Sequence, residues 1–378
     1  MPPASFAPFA SPSTARKTAR VRPFADRDMR QVVDLHQKVF PQERPRSLED
    51  YGDYFSRVFL RNPAGRGPLP SLVHEEDDGC ITGFLGLVPR RVVAGGCAFQ
   101  AMVSSQFIVD PASAVGLVAM RLAKAYLEGP QDLSIADEAN DISRRIWEGL
   151  GGTTALLYSI YWTRPLRPFG LGLSYLRGRR GFAGVVAAAR PAASVADFLA
   201  TRMPGSHVRK SPATCSADEL RVEALLEHAS DFCDQTSLRV DYDERTLQWL
   251  LDRAGGSGRG RLLTAAVRNR STLVGWYVSY LDRHGVADVA QLAATPSSIH
   301  EVLDHLFDRA RRQGAIAVTG RMDPRFMDAL SDKLCLFHRR GPWVLIKTAR
   351  PELLRTFESG HAWFSRLDGE WSLRFCRE

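Results

Sequence analysis

The residues of this chain best suited to chemistry are a short run, DPASAVGLV at positions 110–118. Proline has no amide proton for a strand ladder and restricts the residue before it, so Asp110-Pro111 ends whatever strand precedes it. Small residues follow, and at Gly116 a helical pattern takes over. The first amides of a helix have no intrahelical acceptor, and the aligned peptide dipoles add partial positive charge. A corner of this kind is therefore suited to a pyrophosphate. Gly116 lets backbone and ligand approach closely.

The elements that must position this corner are legible on both sides. Residues 97–109 are apolar and β-favouring, and Leu117, Met120, Leu122, Ala123, Tyr126 and Leu127 recur at helical spacing, which predicts a strand, a turn and a helix over 115–128. Upstream, a strand at 21–24 runs into the acidic helix start 25–28, and Met29, Val32, Val33, Leu35, Val39 and Phe40 form an apolar helical face. A second helix covers 48–60. Strands at 71–75 and 81–93 flank the acidic turn 76–79, the latter carrying Gly83-Phe84-Leu85-Gly86. Downstream come a short strand at 132–136, a helical segment DEANDISRRIWEGLGG at 137–152, and a closing strand at 153–161.

Strand, proline-ended turn with a glycine, and amphipathic helix, in this order of elements, resemble the acetyl-CoA-binding core of the GNAT superfamily of N-acyltransferases. The family turn Gln/Arg-x-x-Gly-x-Gly/Ala falls on Ser113, Gly116 and Val118, of which the central glycine fits. The family segment N-x-x-A-x-x-L-Y-x-x-x-G-F falls on the run led by Asn140, with Trp147 where many members keep a tyrosine. An indole N–H is far too weak an acid to replace that phenol.

The resemblance implies an acetyl-CoA or longer acyl-CoA co-substrate and a primary amine acceptor, with no metal. It places Phe107, Ile108 and Val109, on a strand opened by a bulge at Ser105–Val109, along the pantetheine arm. Ser113, Ala114, Val115, Gly116, Leu117 and Val118 fall on the pyrophosphate, Arg121 near a ribose phosphate, and Asn140 at the donor site. For the general base the choice is Glu138, which as an ordinary acidic residue would cap the helix that follows. Tyr158 is the candidate proton donor to sulfur, and otherwise a core tyrosine. His361, Asp368 and Glu370 sit among Trp363, Phe364 and Trp371, in a tail that either folds over a cleft between halves to bind an amine or is the last packed element.

Beyond residue 214 the pattern repeats. Helical patterns at 217–229 and 243–254 precede strands at 261–267, 273–280 and 286–294, a helix at 298–312, a strand at 316–319, a helix at 325–330 and a strand at 343–347. Gly83 and Gly275, and Pro111 and Pro296, are separated by nearly equal lengths of chain. The fold class expected is therefore α/β, two tandem GNAT-like units, each a mixed, mostly antiparallel twisted sheet flanked by helices. The divisions are a disordered tail at 1–18, an acyl-CoA-binding unit at 19–166, a connector with a short helix at 167–215, and a second unit at 216–378. In the second unit the turn TPSSIHEV lacks glycine and carries Glu301, which would repel a pyrophosphate, so that donor site is read as degenerate.

Composition agrees. The chain has 378 residues, 44% of them hydrophobic and 24% charged, enough for two domains with real cores. No apolar run reaches the roughly 20 residues that span a bilayer, so no stable membrane insertion is expected. The six cysteines show no metal-type spacing and are read as reduced thiols of a cytoplasmic protein. The net charge of +8 gathers partly in RPLRPFGLGLSYLRGRR, which argues for a basic connector and against nucleic-acid binding. Two other readings stay open: an acyltransferase whose donor rides on an acyl carrier protein, which a basic surface suits, and a non-catalytic binding module. Ser113, Val118 and Trp147 are the departures that favour the module.

Overall fold

The computed structural model describes residues 19–41, 47–65, 67–177, 183–202, 215–233, 237–256 and 258–375. The tail expected at 1–18 lies outside them. The chain opens with β1 (Arg20–Pro23), α1 (Met29–Val39) and α2 (Leu48–Phe55), followed by β2 (Leu72–Glu75), β3 (Ile81–Ala94) and β4 (Cys97–Val109). Then come α3 (Val115–Leu127), β5 (Leu133–Ala139), α4 (Asp141–Gly149), β6 (Thr153–Thr154) and β7 (Tyr161–Pro165).

Two helices, α5 (Pro168–Arg177) and α6 (Ala183–Arg202), occupy the connector where one short helix was expected. The Asp197 carboxylate accepts the amides of Phe169 and Gly170 at 3.0 Å and so ties the two together. The second pass runs β8 (Ser216–Asp218), α7 (Val222–His228), β9 (Leu238–Val240), α8 (Glu244–Gly255), β10 (Arg261–Asn269), β11 (Thr272–Leu281) and β12 (Val286–Ala294). It continues through α9 (Ile299–Arg312), β13 (Ala317–Arg321), α10 (Met327–Asp332), β14 (Leu336–His338) and β15 (Trp343–Lys347). The chain ends with α11 (Pro351–Glu358), β16 (Ala362–Trp363) and α12 (Glu370–Leu373).

These strands form two mixed sheets. One is ordered β1-β2-β3-β4-β5-β15-β6, with β9 and β16 on its flank, and the other β14-β7-β13-β12-β11-β10-β8. In each of these strand orders one parallel pair, β4 with β5 and β12 with β13, embraces its helix, α3 or α9, the other neighbours in the orders are antiparallel, and on the flank of the first sheet β16 runs parallel to β9. The tandem α/β architecture is as the repeat implies.

One expectation needs correction. The strand read at 153–161 does not close the first unit: it breaks into β6, a turn at Leu157–Ser159, and β7, which pairs with β13 and β14 in the second sheet. In exchange β15 inserts between β5 and β6. Each unit thus lends its last strand to the other, at equivalent positions. The two sheets cannot separate without breaking both ladders.

The apolar patterns read from the sequence bury as expected. Val32, Val33, Tyr51, Phe55 and Val58 pack under the first sheet against Phe84 and Val103, and Val118, Leu122 and Tyr126 cover its other face with Leu85 and Met102. In the second unit Ile299, Val302, Leu303 and Leu306 do the same against Val267 and Tyr277.

Candidate active site

β4 and β5 pair only from Ala101 to Val103 and then part. Tyr126 on α3 marks the fork: its phenol donates to the Met102 carbonyl at 2.6 Å and accepts the Ile135 amide at 3.0 Å, so one buried group satisfies both strands where their ladder ends. Just beyond the fork β4 carries a bulge, because Phe84 faces Ile108 while Gly86 faces Ser105. Gln106 takes φ +54° there. A bulge leaves an unpaired residue and re-aims its neighbours. Opposite it stands Gly86, whose Cβ would meet the Phe59 ring at 2.3 Å.

The fork opens on a cleft of about 640 Å³. From the first unit, Ser104, Gln106, Phe107, Glu138, Asn140 and Trp147 line it, and from the second, Arg259, Asp282 and Asp288. The C-terminal segment adds Glu370, Trp371, Arg374 and Phe375, so the tail does fold over the cleft. Its anchors are cross-unit. Asp137, fully buried, accepts the Glu370 amide at 2.6 Å and Arg321 at 2.9 Å. Gly369 is required at this contact, since its Cβ would fall 1.9 Å from the Asp137 carboxylate.

Arg366 pairs with Asp288 at 2.6 Å and with Glu138 at 3.5 Å, and Arg374 reaches Glu138 at 3.2 Å. The Glu370 carboxylate accepts the amide of the bulge residue Gln106 at 3.2 Å. Gln106 is held from the other side by His36, at 3.1 Å through its side-chain oxygen.

Burial pushes the Glu370 carboxyl up to about 8, opposed by Arg374 and reinforced by the charges of Asp137 and Glu138. Glu138 is also raised by burial, against the pull of Arg366 and Arg374. Two carboxyls of raised affinity for protons therefore meet a backbone donor at the fork. Such a constellation can take a proton from a nucleophile beside a polarised carbonyl.

The corner before α3 is on the surface. Ala114, Gly116 and Leu117 are exposed, and no protein atom lies within 4 Å of a Cβ built on Gly116. Part of its amide supply is spent locally: Ala112 donates to the Asp110 carboxylate, Ser113 to the Asp110 carbonyl, Val115 to Ser113, and Leu117 and Val118 to Ala114. Among the described residues the amides of Ala114 and Gly116 have no protein acceptor. The Asp110 carboxylate, held by Lys38 at 2.7 Å, is neutralised.

Other residues read from the sequence stand as follows. Phe107 lines the cleft, and Val109 is half-buried beside it on β4, whereas the Ile108 side chain turns into the core, leaving its backbone toward the fork. Val118 packs in the core, so it can offer no side-chain contact at the corner. Arg121 donates to the His74 ring at 3.2 Å. Asn140 caps α4 by accepting the Ser143 amide at 2.8 Å and also lines the cleft.

Glu138 is in the cleft, but Tyr158 is not. It sits in the turn before β7, accepts the Ala362 amide at 2.8 Å, and burial pushes its phenol up. His361 is exposed, and Asp368 is buried beneath Tyr242. His36 reads from the sequence as a packing or surface histidine of its helix, and Gln106, Asp288, Arg321, Arg366 and Arg374 are not singled out by it. Of these only Gln106, inside the segment read as bulged, carried a local signal.

In the second unit the equivalent fork is filled. β12 bulges at Ala290, whose carbonyl accepts the Leu367 amide. Gln291 takes the Trp276 indole and donates to Tyr242 and Ser365, and the remaining void is about 40 Å³.

The chain as a whole is similar to several solved structures. Over 90% of this chain and 74% of the other, at TM-score 0.57 and 13% identity, it is similar to a conserved protein of unknown function from Enterococcus faecalis V583, described as a probable N-acyltransferase. Over 88% of this chain and 73% of the other, at TM-score 0.57 and 10% identity, it is similar to a GCN5-related N-acetyltransferase from Anabaena variabilis ATCC 29413. A third, from Kribbella flavida, covers 89% and 72% at TM-score 0.52 and 12% identity.

The chain has the GCN5-related N-acetyltransferase fold. No protein-family model and no curated relative matches the sequence. The open fork and the exposed corner before α3 both lie in the first unit. No helix of the described residues is long and apolar enough to cross a membrane, and no group of three or more His, Cys, Asp or Glu among them could hold a metal.

Proposed function

We propose that the protein is an N-acyltransferase that moves an acetyl or longer acyl group from an acyl-CoA thioester to a primary amine. The observation that carries this reading is the meeting, at one open fork, of the Gln106 amide with the Glu370 and Glu138 carboxyls. The donor diphosphate rests on the Ala114 and Gly116 amides, and its arm runs into the fork past Phe107. The thioester carbonyl takes the Gln106 amide and displaces Glu370, which then faces the acceptor nitrogen.

Once the acceptor ammonium has released one proton to solvent, the neutral nitrogen attacks: the C–N bond forms, the C–S bond breaks, and the nitrogen's second proton passes to the Glu370 carboxylate. With a proton affinity near 8, close to that of a thiol, Glu370 then returns the proton to the departing sulfur. Glu138 stays paired with Arg366 and Arg374. The cleft lining carries the carboxyls of Glu138, Asp282, Asp288 and Glu370 beside the guanidinium groups of Arg259 and Arg374, and an incoming ammonium adds positive charge next to these carboxyls.

Saturating acetyl-CoA should raise the melting temperature, since a ligand at 100 times its Kd stabilises the folded state by about 2.7 kcal/mol. Gly116→Ala should keep the response, as the position is open, and Gly116→Glu should cancel it by setting a carboxylate at the corner. A full response in Gly116→Glu would displace the donor from this corner.

A second reading, with the donor on an acyl carrier protein, draws on the exposed Val115, Leu117 and Met120 around the same corner. It predicts a thermal response to an acylated carrier protein and none to acetyl-CoA. A response to neither would favour a binding module without a donor.

A further inference from the structure

A second groove, of about 600 Å³, adjoins the cleft and shares Glu138, Ala139 and Asn140 with it. It lies at the end of β5 and the start of β15, across β5 from the strand that leads to the donor corner. Its outer wall is the run Arg339-Arg340-Gly341-Pro342-Trp343. Arg339 is fixed before anything binds: its Nη1 donates to the carbonyls of Ser159 at 2.8 Å, Gly341 at 2.7 Å and Pro342 at 3.3 Å, and its guanidinium lies 3.4 Å from the Trp343 ring centroid. Trp343 is itself held by Asp141, at 2.6 Å from its indole nitrogen.

Among the described residues, no carboxylate comes within ion-pair distance of Arg339 or Arg340, and Arg339 Nε and Nη2 have no protein acceptor. A guanidinium already immobilised loses little freedom on binding, and its planar fork matches carboxylate and phosphate oxygens.

We infer that this groove binds an anionic group, carboxylate or phosphate, belonging to the acceptor, so that the acceptor is an amine that also carries an acid. The inference rests on the acyltransferase reading and names its acceptor class. Charge is distributed to suit such a molecule: four carboxyls, Glu138, Asp282, Asp288 and Glu370, against Arg259 and Arg374 in the cleft for the ammonium end, and Arg339 and Arg340 in the groove for the acid end, where Asp141 is engaged by the Trp343 indole and Glu138 is common to both. The donor's own phosphates are the competing source of the same chemistry, and the position of the groove on the β15 side of the fork sets it apart from the corner that precedes α3.

The test uses the full chain and two matched acceptor pairs at millimolar concentration, L-lysine with cadaverine and L-phenylalanine with phenethylamine. Labelling of Arg340 by phenylglyoxal is read by peptide mass. The amino acid of at least one pair should slow that labelling about tenfold, with no protection from its decarboxylated partner or from acetyl-CoA. In turnover, Arg340→Glu should raise KM for that amino acid about tenfold, leaving kcat and the partner amine unchanged, because an ion pair lost from both ground and transition states appears in KM.

Equal protection by the decarboxylated amines, or none by either amino acid, overturns the inference. Protection by acetyl-CoA assigns the groove to the donor and overturns it too. Protection by an amino acid with no thermal response to acetyl-CoA keeps the groove and removes the acetyl-CoA reading, so the two failures are distinguishable.

Discussion

Replacing Glu370 with glutamine should lower kcat/KM by about 10²–10⁴-fold, the usual cost of losing a positioned general base, while leaving the acetyl-CoA thermal response in place. The wild-type rate should rise with pH through about 8, as the Glu370 carboxyl gives up its proton, and the glutamine variant should lose that limb. The same group leaves a mark on stability. Its ordinary value is 4.5, and the folded value is raised to about 8. Between these the native state holds a proton that the unfolded chain has released, so this group makes stability fall as pH rises from about 4.5 to 8. Glu370→Gln should flatten that slope and be relatively more stable above pH 8. An unchanged pH–rate profile in this variant would move the base elsewhere, with Glu138 the next carboxyl to test.

Arg321→Met should destabilise the chain by about 3–5 kcal/mol, read as a lower urea midpoint. Arg321 and Asp137 are 4% and 0% exposed, and removing the guanidinium strands a carboxylate whose other partner is the Glu370 amide. The double variant Arg321→Met with Asp137→Asn should lose less than the sum of the single changes, because the second substitution removes the charge the first one orphans. Activity should fall in the single variant as well, since the tail that carries Glu370 is tied to the first unit through Asp137. A cost within about 0.5 kcal/mol would mean the tail is held by its packing and by the Arg366 and Arg374 ion pairs without need of this one.

The parts legible in the sequence were those written in local chemistry. Asp110-Pro111 marked the end of β4, the spacing of Leu122, Tyr126 and Leu127 marked α3, and the like spacing of Gly83 with Gly275 and Pro111 with Pro296 marked the repeat. The bulge at Gln106 fell inside the segment where one was expected.

What stayed hidden was set by pairing at a distance. β7 and β15 read as closing strands of their own units, and nothing in the runs YWTRP and WVLIK tells a strand which of two equivalent sheets to enter. That exchange is also why Tyr158, read as a strand residue near the fork, lies in a buried turn instead. The ion pairs of the cleft join β5 to side chains over 180 residues away, such as Asp137 to Arg321, and each arginine alone looks like an ordinary surface charge. Glu370 was noticed only because it stood among aromatic residues.

The most direct test of one working donor site is the stoichiometry of acetyl-CoA binding by isothermal titration. One site per chain, abolished by Gly116→Glu, is the predicted result, because the second fork is occupied by the chain's own segment around Ser365 and Leu367. Two sites per chain, or a single site that survives Gly116→Glu, would contradict it.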